Sequence, residues 1–396
     1  MAAFSHRWPQ RASPQRSGLS INVSPTNAFG STRVCRLGLL PRVIDRETEL
    51  PSLCEAITAA PWVALDTEAD SLHAYPEKLC LIQISVPGRD ELVDPLAGMD
   101  MGDFFSALNR HTLLMHGADY DVRLFKRGCD FVPNQIFDTM LAARLTGRMQ
   151  FGLSALVNEF LGVELEKGSR KANWARRPLT PKMAEYAVND TLHLRPLVDA
   201  LQGELREKGR EDWHRQECAR LVADNSVIPE PDPDLVWRIK GSAKLAPRAL
   251  SVLRELWHWR EEEARRRNRP PFFILSPEAM ISLADMAAQK QSVSHLMPKR
   301  MPDHRKSIIR QRIKTGMEIV EAACPARHKA PPRKHITPAQ KRRLTEIQTK
   351  RDRQADELKI DPTLIASRTT MVRLACEAEG VLEDVLPWQR ELLEVN

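Results

Sequence analysis

The chain has 396 residues, of which 42% are hydrophobic, and its 59 Lys and Arg exceed its 52 Asp and Glu to give a net charge of +7. This length is enough for two or three domains with cores of their own, and no apolar run reaches the roughly 18 residues of a membrane span, so no membrane partner is expected. The seven cysteines are scattered, odd in number and without a CxxC pair, which indicates a reducing, cytoplasmic setting and argues against a disulfide framework or a zinc site.

The first 44 residues contain six Arg and no acidic residue, with Ser, Pro and Gln throughout. No apolar segment follows them, so a secretory signal is not expected. A transit peptide would look somewhat similar, but we interpret residues 1–40 as a disordered basic tail, or as the product of a start codon placed too early. This segment carries no identifiable chemistry.

Two Pro-rich breaks divide the rest of the chain, at 227–234 (VIPEPDPD) and 324–338 (CPARHKAPPRKHITP). Before the first break, apolar runs and amphipathic segments predict an α/β domain at 41–224. Its predicted strands are Trp62–Leu65, Leu79–Val86, Glu91–Val93 and Thr112–His116, and its predicted helices are Asp119–Arg127 closed by Gly128, Phe137–Leu145, Leu153–Phe160 and a long one from Pro181 that kinks at Pro196.

After the first break the sequence shows only helical signals. Glu261, Glu262 and Glu263 each precede an Arg by four residues, which predicts a self-paired helix surface. Residues 337–396 loosely echo 245–286, since each runs as a basic helix, a Pro-containing turn and a second helix. We therefore expect all-α domains at 235–320 and 337–396, joined by a linker at 321–336.

Charge is distributed unevenly between the two parts. Residues 45–235 hold 21 Lys and Arg against 32 Asp and Glu, whereas residues 236–396 hold 32 against 20. This asymmetry suggests that the acidic part holds cations and that the basic part meets a polyanion. A set of solvated helices would give the basic part the same charge, and charge alone does not separate the two interpretations.

Asp66 and Glu68 follow the apolar run in WVALDTEADSL. Residues i and i+2 of a strand point to the same face, so these two carboxylates would lie side by side next to a hydrophobic core. Like charges at that spacing repel each other and resist desolvation unless something positive lies between them. The spacing therefore predicts a cation site.

Further acidic side chains come from two other predicted helices. In HGADYDVRLFKRG, Asp121 falls in the first turn of a helix just past a strand, where α/β folds bind ligands, while Asp119 is placed to cap that helix. In TPKMAEYAVNDTLHL, Thr180 begins a helix on which Tyr186 and Asp190 share a face. Each residue alone has an ordinary structural explanation, but together they indicate one site at a sheet edge.

These segments resemble the motifs of the ribonuclease D family, in the tyrosine-containing branch of the DEDD exonuclease superfamily. LDTEADSLHAYPEKLCLIQIS is similar to the first motif, HGADYDVRLF to the second and YAVNDTLHL to the third, and ANWARRPLTPKMAEYA resembles the SDWxxRPLT…YA lead-in. Ala172–Asn173 replaces the usual Ser–Asp and Gly117 stands where Asn is common, but neither is a metal-ligand position. The likeness spans roughly 42–220. WRIKGSAKLAPRALSVLRELWHWREEEA resembles an HRDC (helicase and RNase D C-terminal) domain, and 337–396 is similar to the second HRDC-like domain of some members.

The resemblance implies a ribonuclease H-like fold, a mixed sheet flanked by helices, and a pair of Mg²⁺ ions for which Mn²⁺ can substitute. It implies that Asp66 bridges both ions, that Glu68 and Asp190 complete the first site, and that Asp121 serves the second largely through water. Tyr186 would orient the attacking water. With an ordinary pKa of about 10 it should stay protonated, so positioning is favoured over proton abstraction.

Substrate contacts are predicted in two places. Thr67 would offer its backbone N–H to the terminal sugar or phosphate, and His116 would contact the scissile phosphate or leaving group, unless it is a buried structural histidine. The segment before the Tyr186 helix holds the one basic island of an acidic domain, and it is either a path for an RNA backbone or a solvated loop. Its residues are Lys167, Arg170, Lys171, Trp174, Arg176 and Arg177.

The implied activity is that of a 3′→5′ exoribonuclease, a hydrolase that releases 5′-mononucleotides and trims tRNA precursors and other small structured RNAs with a free 3′ hydroxyl. The basic helices would hold RNA in a salt-sensitive manner, or contact protein, and a chain ending near residue 225 should retain the chemical step. The alternatives are a DNA exonuclease and a catalytically inactive RNA-binding scaffold. The RRPLT lead-in favours RNA, the presence of all five motif residues argues against a scaffold, and the lack of a P-loop excludes a helicase.

Overall fold

A computed structural model describes residues 41–166, 168–327 and 336–395. The predicted tail at 1–40, Lys167 and part of the predicted linker lie outside the described residues. Within these three ranges, no helix combines the length and apolar character that a bilayer crossing requires. The six cysteines in the same ranges are all free thiols.

The N-terminal part of the chain is built on a mixed six-stranded sheet with the spatial order β1-β4-β3-β2-β5-β6. Strand β3 runs antiparallel to both of its neighbours, while the remaining pairs are parallel. The strands are β1 (Arg42–Ile44), β2 (Val63–Ala69), β3 (Leu79–Val86), β4 (Arg89–Val93), β5 (Thr112–Met115) and β6 (Gln135–Asp138). The parallel pairing of β2 with β5 brings their carboxyl ends to one edge of the sheet.

Helices cover both faces of this sheet, which confirms the predicted fold class. They are α1 (Leu50–Ala59), α2 (Gly102–Leu108), α3 (Asp119–Cys129), α4 (Thr139–Leu145), α5 (Leu153–Leu161), α6 (Pro181–Leu192), α7 (Leu194–Glu207) and α8 (Glu211–Ser226). All eight residues of β3 are buried, because α1–α3 pack on one face of the strand and α6 on the other. An apolar layer on each face explains why this strand reads as an unbroken hydrophobic run.

Several sequence predictions for this part were wrong in detail. The segment predicted as one helix from Phe137 begins as strand β6 and turns helical only at Thr139. Gly128 does not close α3, because the helix continues to Cys129 and ends on Asp130 in a left-handed conformation. The long helix from Pro181 divides at His193 into α6 and α7. Strand β1 and helices α1, α2 and α8 were not predicted.

Four helices after the first Pro-rich break surround a separate core and form what we call the central helical domain. They are α9 (Pro247–Arg267), α10 (Pro271–Ile274), α11 (Pro277–Ala288) and α12 (Asp303–Glu318). The prediction of a self-paired acidic and basic surface on α9 is only partly right. Glu263 does bind Arg267 four residues on, but Glu261 and Glu263 are both buried, and Glu261 binds Arg260 and Tyr75 instead.

The last four helices pack on one another, and their buried side chains also reach the N-terminal part of the chain. We call α13 (Pro338–Leu358), α14 (Pro362–Ile365), α15 (Arg368–Ala375) and α16 (Pro387–Leu393) the C-terminal helices. Their buried side chains share one cluster with residues of α4, α5 and α7. Trp388 stacks on Trp213 of α8 with ring centroids 4.7 Å apart, and the Arg210 guanidinium donates to the Leu358 carbonyl at 2.8 Å. These helices therefore pack against α4, α5, α7 and α8 of the N-terminal part.

Candidate active site

Asp66 and Glu68 lie on β2, on the face of the sheet that α6 covers. Asp66 is directly opposite Gln83 of β3, and Glu68 is opposite Leu81, which packs against α6. Leu65, the residue before Asp66, points to the other face and joins the core made with α1–α3. Because strand side chains alternate, the two carboxylates stand side by side, as their spacing predicts.

Asp121 reaches the same edge from the first turn of α3. It is 6% exposed, and its carboxylate accepts a hydrogen bond from the Thr67 hydroxyl, which lies between Asp66 and Glu68 on β2. The turn that leads to α3 passes through Gly117 with φ +66°. Gly and Asn are the residues that best tolerate this left-handed conformation, so a glycine at a position where Asn is common preserves the turn.

Tyr186 and Asp190 come from α6, one turn apart on the same face. The Thr180 side chain accepts from the Met183 N–H and Pro181 occupies the first turn, so the helix begins as the sequence predicts. The helix is tied to the sheet beside Asp190, where the Ser85 hydroxyl donates to the Thr191 hydroxyl at 2.8 Å. Trp174 packs against the Tyr186 ring at a centroid distance of 6.1 Å. The structure thus brings all four carboxylates and the tyrosine together.

Burial and mutual repulsion dominate the electrostatics of this cluster. Burial, and then the charges of Asp121, Asp190 and Glu68, hold the pKa of Asp66 well above its usual range. Burial and the neighbouring Asp190 raise the pKa of Glu68 to about 9. Burial likewise raises the pKa of Asp190 to about 7, against the opposing effect of Arg170. Each shift means that a negative charge at this position is poorly stabilised by the protein alone.

The donor set suits hard divalent cations, which prefer carboxylate oxygens. Among the residues that the structure describes, no three His, Cys, Asp or Glu side chains stand around a common point as metal ligands. The Gln83 amide is fully buried opposite Asp66, and neither its nitrogen nor its oxygen has a hydrogen-bond partner among the described residues. A cluster of repelling carboxylates beside an unpaired amide is a site that a cation would complete.

Two other titratable side chains adjoin the carboxylates. Burial, and then the charge of Asp190, raise the pKa of the Tyr186 hydroxyl above its usual value, so this group stays protonated and can donate a hydrogen bond. His116 donates to or accepts from the Thr139 hydroxyl at 2.9 Å through Nδ1, and burial lowers its pKa, so the ring is neutral at physiological pH. Arg170 is exposed, yet close enough to oppose the pKa rises of Glu68 and Asp190.

Of the residues predicted to contact substrate, some have side chains that are exposed and others have side chains already bonded or buried within the protein. Arg176 is exposed, whereas the Arg177 guanidinium binds the buried Asp94 carboxylate at 2.6 Å and the carbonyls of Trp174 and Cys80 at 2.7 Å each. Trp174 itself is 1% exposed. Its ring is thus occupied in supporting Tyr186, and the Arg177 side chain is occupied in holding the segment to the sheet.

Sequence reasoning missed two groups that organise the site. Asp138, fully buried, caps α4 and accepts from the Ala118 N–H at 2.8 Å, which fixes the turn before Asp121. Its signal was present as an Asp immediately before a helix, but the helix start was placed too early. The loop at 70–78, between β2 and β3, is bound to α3. Its Glu77 carboxylate accepts from the Tyr120 hydroxyl at 2.9 Å and from Arg127 at 2.7 Å.

Two family models match separate parts of the chain. Residues 41–206 match the family model described as 3'-5' exonuclease, and residues 249–293 match the HRDC domain. The chain is 35% identical over 257 residues to ribonuclease D of Zymomonas mobilis, covering 64% of this chain and 65% of that relative. It is 29% identical over 363 residues to ribonuclease D of Gluconacetobacter diazotrophicus, covering 88% and 90%.

A solved structure extends the likeness to the whole fold. The crystal structure of Escherichia coli RNase D, described as an exoribonuclease involved in structured RNA processing, aligns with a TM-score of 0.68 at 25% identity and covers 90% of this chain and 97% of that one. Fold and sequence together define the class, an exonuclease domain followed by an HRDC domain. In sequence and in fold, the chain is similar to the proteins named ribonuclease D. Its match to the Zymomonas relative spans slightly less than two thirds of that protein's length.

Proposed function

We propose that this protein is a 3′→5′ exoribonuclease that hydrolyses phosphodiester bonds and releases 5′-mononucleotides. The observation that carries the proposal is the meeting of Asp66, Glu68, Asp121, Tyr186 and Asp190 at one sheet edge, from one strand and two helices. Four carboxylates clustered at a buried position repel one another unless divalent cations lie among them. Paired divalent cations in such sites catalyse phosphodiester hydrolysis.

The chain would hold two Mg²⁺ ions, with Mn²⁺ as a substitute. When bound, such a pair supplies a polarised water and neutralises charge on the oxygens of an in-line displacement at phosphorus. Asp66, which feels the charges of all three other carboxylates, would contact both ions. Glu68 and Asp190 would complete the first ion's ligands, and Asp121, held by Thr67, would serve the second. The protonated Tyr186 hydroxyl would position the attacking water rather than remove its proton.

The substrate class that we propose is RNA with a free 3′ hydroxyl, and within it tRNA precursors and other small structured RNAs. Support comes from the relatives named ribonuclease D and from the 32 Lys and Arg against 20 Asp and Glu in residues 236–396. Exposed Arg170, whose charge acts on Glu68 and Asp190, and exposed Arg176 in the same segment add to it. Thr67 through its backbone N–H, and His116, would contact the terminal nucleotide. The free cysteines fit a cytoplasmic location.

A single gel assay tests this proposal. A 5′-labelled RNA with a free 3′ hydroxyl should give a ladder shortened from the 3′ end in Mg²⁺ or Mn²⁺, and no products in EDTA. Asp190→Asn should abolish the ladder. Asp199→Asn is the matched control, because Asp199 lies on the next helix and pairs with Arg195 at the surface.

The remaining lanes separate the alternatives. Single-stranded DNA degraded faster than RNA would favour a DNA exonuclease, and intact substrate in every lane would favour an RNA-binding scaffold. Products shortened from the 5′ end, or activity that survives chelation, would overturn the proposed site.

A further inference from the structure

Two adjacent aromatic side chains project into solvent from α10 of the central helical domain. Phe272 is 48% exposed and Phe273 is 58% exposed, and their ring centroids are 4.5 Å apart at an interplanar angle of 43°. Phenylalanine rings left in water forgo the stabilisation that burial brings, and a paired exposure of this kind marks a binding surface more often than a single exposed ring does.

The segment just before these rings is strongly basic. Arg265, Arg266, Arg267 and Arg269 are all exposed. Arg266 and Arg267 are engaged with Glu263, and the Arg265 guanidinium lies 5.7 Å from the centre of the Tyr75 ring. Within the part of the chain that the structure describes, the Arg269 side chain has no ion pair or hydrogen bond. A positive charge is thus available beside the rings.

The helix end before these rings is bound to the loop that follows Glu68 in the chain. The Tyr75 hydroxyl donates to Glu261, and the Asn268 side chain accepts from the Tyr75 N–H at 3.2 Å. Tyr75 belongs to the loop at 70–78, which begins two residues after Glu68. The same loop binds the basic segment before α6, since His73 contacts the Lys171 carbonyl at 3.0 Å.

We propose that Phe272 and Phe273, with Arg265 and Arg269, form a stacking surface for bases of single-stranded RNA. The inference rests on the proposed function, and it names where the strand lies outside the carboxylate site. Aromatic faces accept any base, and flanking arginines neutralise phosphates, so the combination suits a polyanion with flat apolar groups and no fixed sequence. A hydrophobic protein partner fits less well, because the residues next to the rings are arginines.

The test measures RNA binding by the full-length chain carrying Asp190→Asn, which prevents cleavage. The probe is a fluorescent oligoadenylate of about 12 nucleotides, read by anisotropy in Mg²⁺. Phe272→Ala with Phe273→Ala should raise Kd by about tenfold or more, as expected for the loss of base stacking. Met149→Ala is the control, since Met149 is 73% exposed in the exonuclease domain and should leave Kd unchanged.

A second variant distinguishes stacking from simple apolar contact. Phe272→Leu with Phe273→Leu keeps the apolar volume and removes the rings, so it should weaken binding nearly as much as the alanine pair. Full binding by the leucine pair, or unchanged binding by the alanine pair, would overturn the proposal. Melting temperatures of all variants should match, because the rings are exposed. Cleavage of the same RNA by the unmodified chain is scored separately, so that a failure of the proposed activity is recognised as such.

Discussion

Asp66 and Gln83 face each other across the β2–β3 pair, so the Gln83 amide lies opposite a carboxylate at the centre of the site. The amide is fully buried and has no hydrogen-bond partner among the described residues. Cross-strand neighbours share a face and lie within about 4.5–5.5 Å at their Cβ atoms. The amide is therefore placed to donate to Asp66 once a cation draws that side chain into position. We regard Gln83 as a positioning residue.

Gln83→Leu should raise the Mg²⁺ concentration needed for half-maximal cleavage by roughly 10–100-fold, as loss of a partner behind a metal ligand does. The melting temperature in EDTA should stay the same or rise, because an unsatisfied buried polar group is removed. Gln135→Leu makes the same exchange at an exposed position on the edge strand and should change neither value. An unchanged Mg²⁺ requirement for Gln83→Leu would rule out the positioning role.

The carboxylate cluster should make the metal-free protein less stable as pH rises. Glu68 and Asp190 have folded-state pKa values raised to about 9 and about 7. In the unfolded chain both carboxyls have a pKa of about 4, so above pH 4 the folded state binds more protons than the unfolded state. The contribution of these two groups to the free energy of unfolding is therefore most favourable below about pH 4 and is lost as the pH rises toward their folded-state pKa values. Melting temperatures in EDTA should therefore fall from pH 5 to pH 9, and Mg²⁺ should restore them most at the alkaline end.

Asp66→Asn isolates this effect in one residue. At pH 8 in EDTA it should melt roughly 2–4 °C higher than the unmodified chain, because folded Asp66 must either hold a proton that the unfolded chain releases or carry a charge that three neighbours repel. Cleavage should be lost in the same variant. A lower melting temperature would mean that the carboxylate stabilises the fold without metal, contrary to its raised pKa.

The Tyr186 hydroxyl should matter for turnover and little for binding. Tyr186→Phe keeps the ring that packs on Trp174 and removes only the group that would position water. We expect kcat to fall roughly 10–100-fold with KM nearly constant. Asp199→Asn is the control and should change neither constant, because Asp199 pairs with Arg195 at the surface of the next helix. A rise in KM at constant kcat would instead assign Tyr186 to substrate binding.

Substitutions of the two neighbouring arginines before α6 should have different effects, one on stability and the other on RNA binding. Arg177→Ala leaves the buried Asp94 carboxylate without its partner, and we expect a loss of about 3 kcal/mol in the free energy of unfolding, read by urea titration. Arg176→Ala removes an exposed charge and should leave stability unchanged while weakening RNA binding at low salt. The reverse pattern would show that Arg177, not Arg176, contacts RNA.

The contact between the C-terminal helices and the exonuclease domain should be essential to stability. Trp388 is 1% exposed and stacks on Trp213, so Trp388→Ala should cost about 3–5 kcal/mol. Glu391→Ala, at an exposed site on the same helix, should cost little. The expectation that a chain ending near residue 225 keeps the chemical step is replaced by the opposite one, because that truncation would expose the shared core.

The placement of Asp66 beside Glu68, and of Tyr186 on one helical face with Asp190, was predictable from the sequence because each spacing is local. Asp66 and Glu68 need only strand alternation, and Tyr186 and Asp190 need only one helical turn. Strand β3 was predicted to the residue because burial on both faces makes its apolar run continuous.

What failed depended on contacts distant in the chain. The four residues of β6 were assigned to a helix because their apolar pattern runs directly into α4 and only pairing with β5 makes them a strand. Glu261 was assigned to helix surface because its partner, Tyr75, lies 186 positions away. The role of Gln83 emerged only from its register with Asp66, which no pattern within β3 encodes.

The shared core of α4, α5, α7 and the C-terminal helices has a consequence for synthesis of the protein. A ribosome will have translated the entire catalytic motif set long before it reaches residues 338–395, which close this cluster. Nascent chains should therefore stay incompletely folded around this cluster until residues 338–395 have left the ribosome.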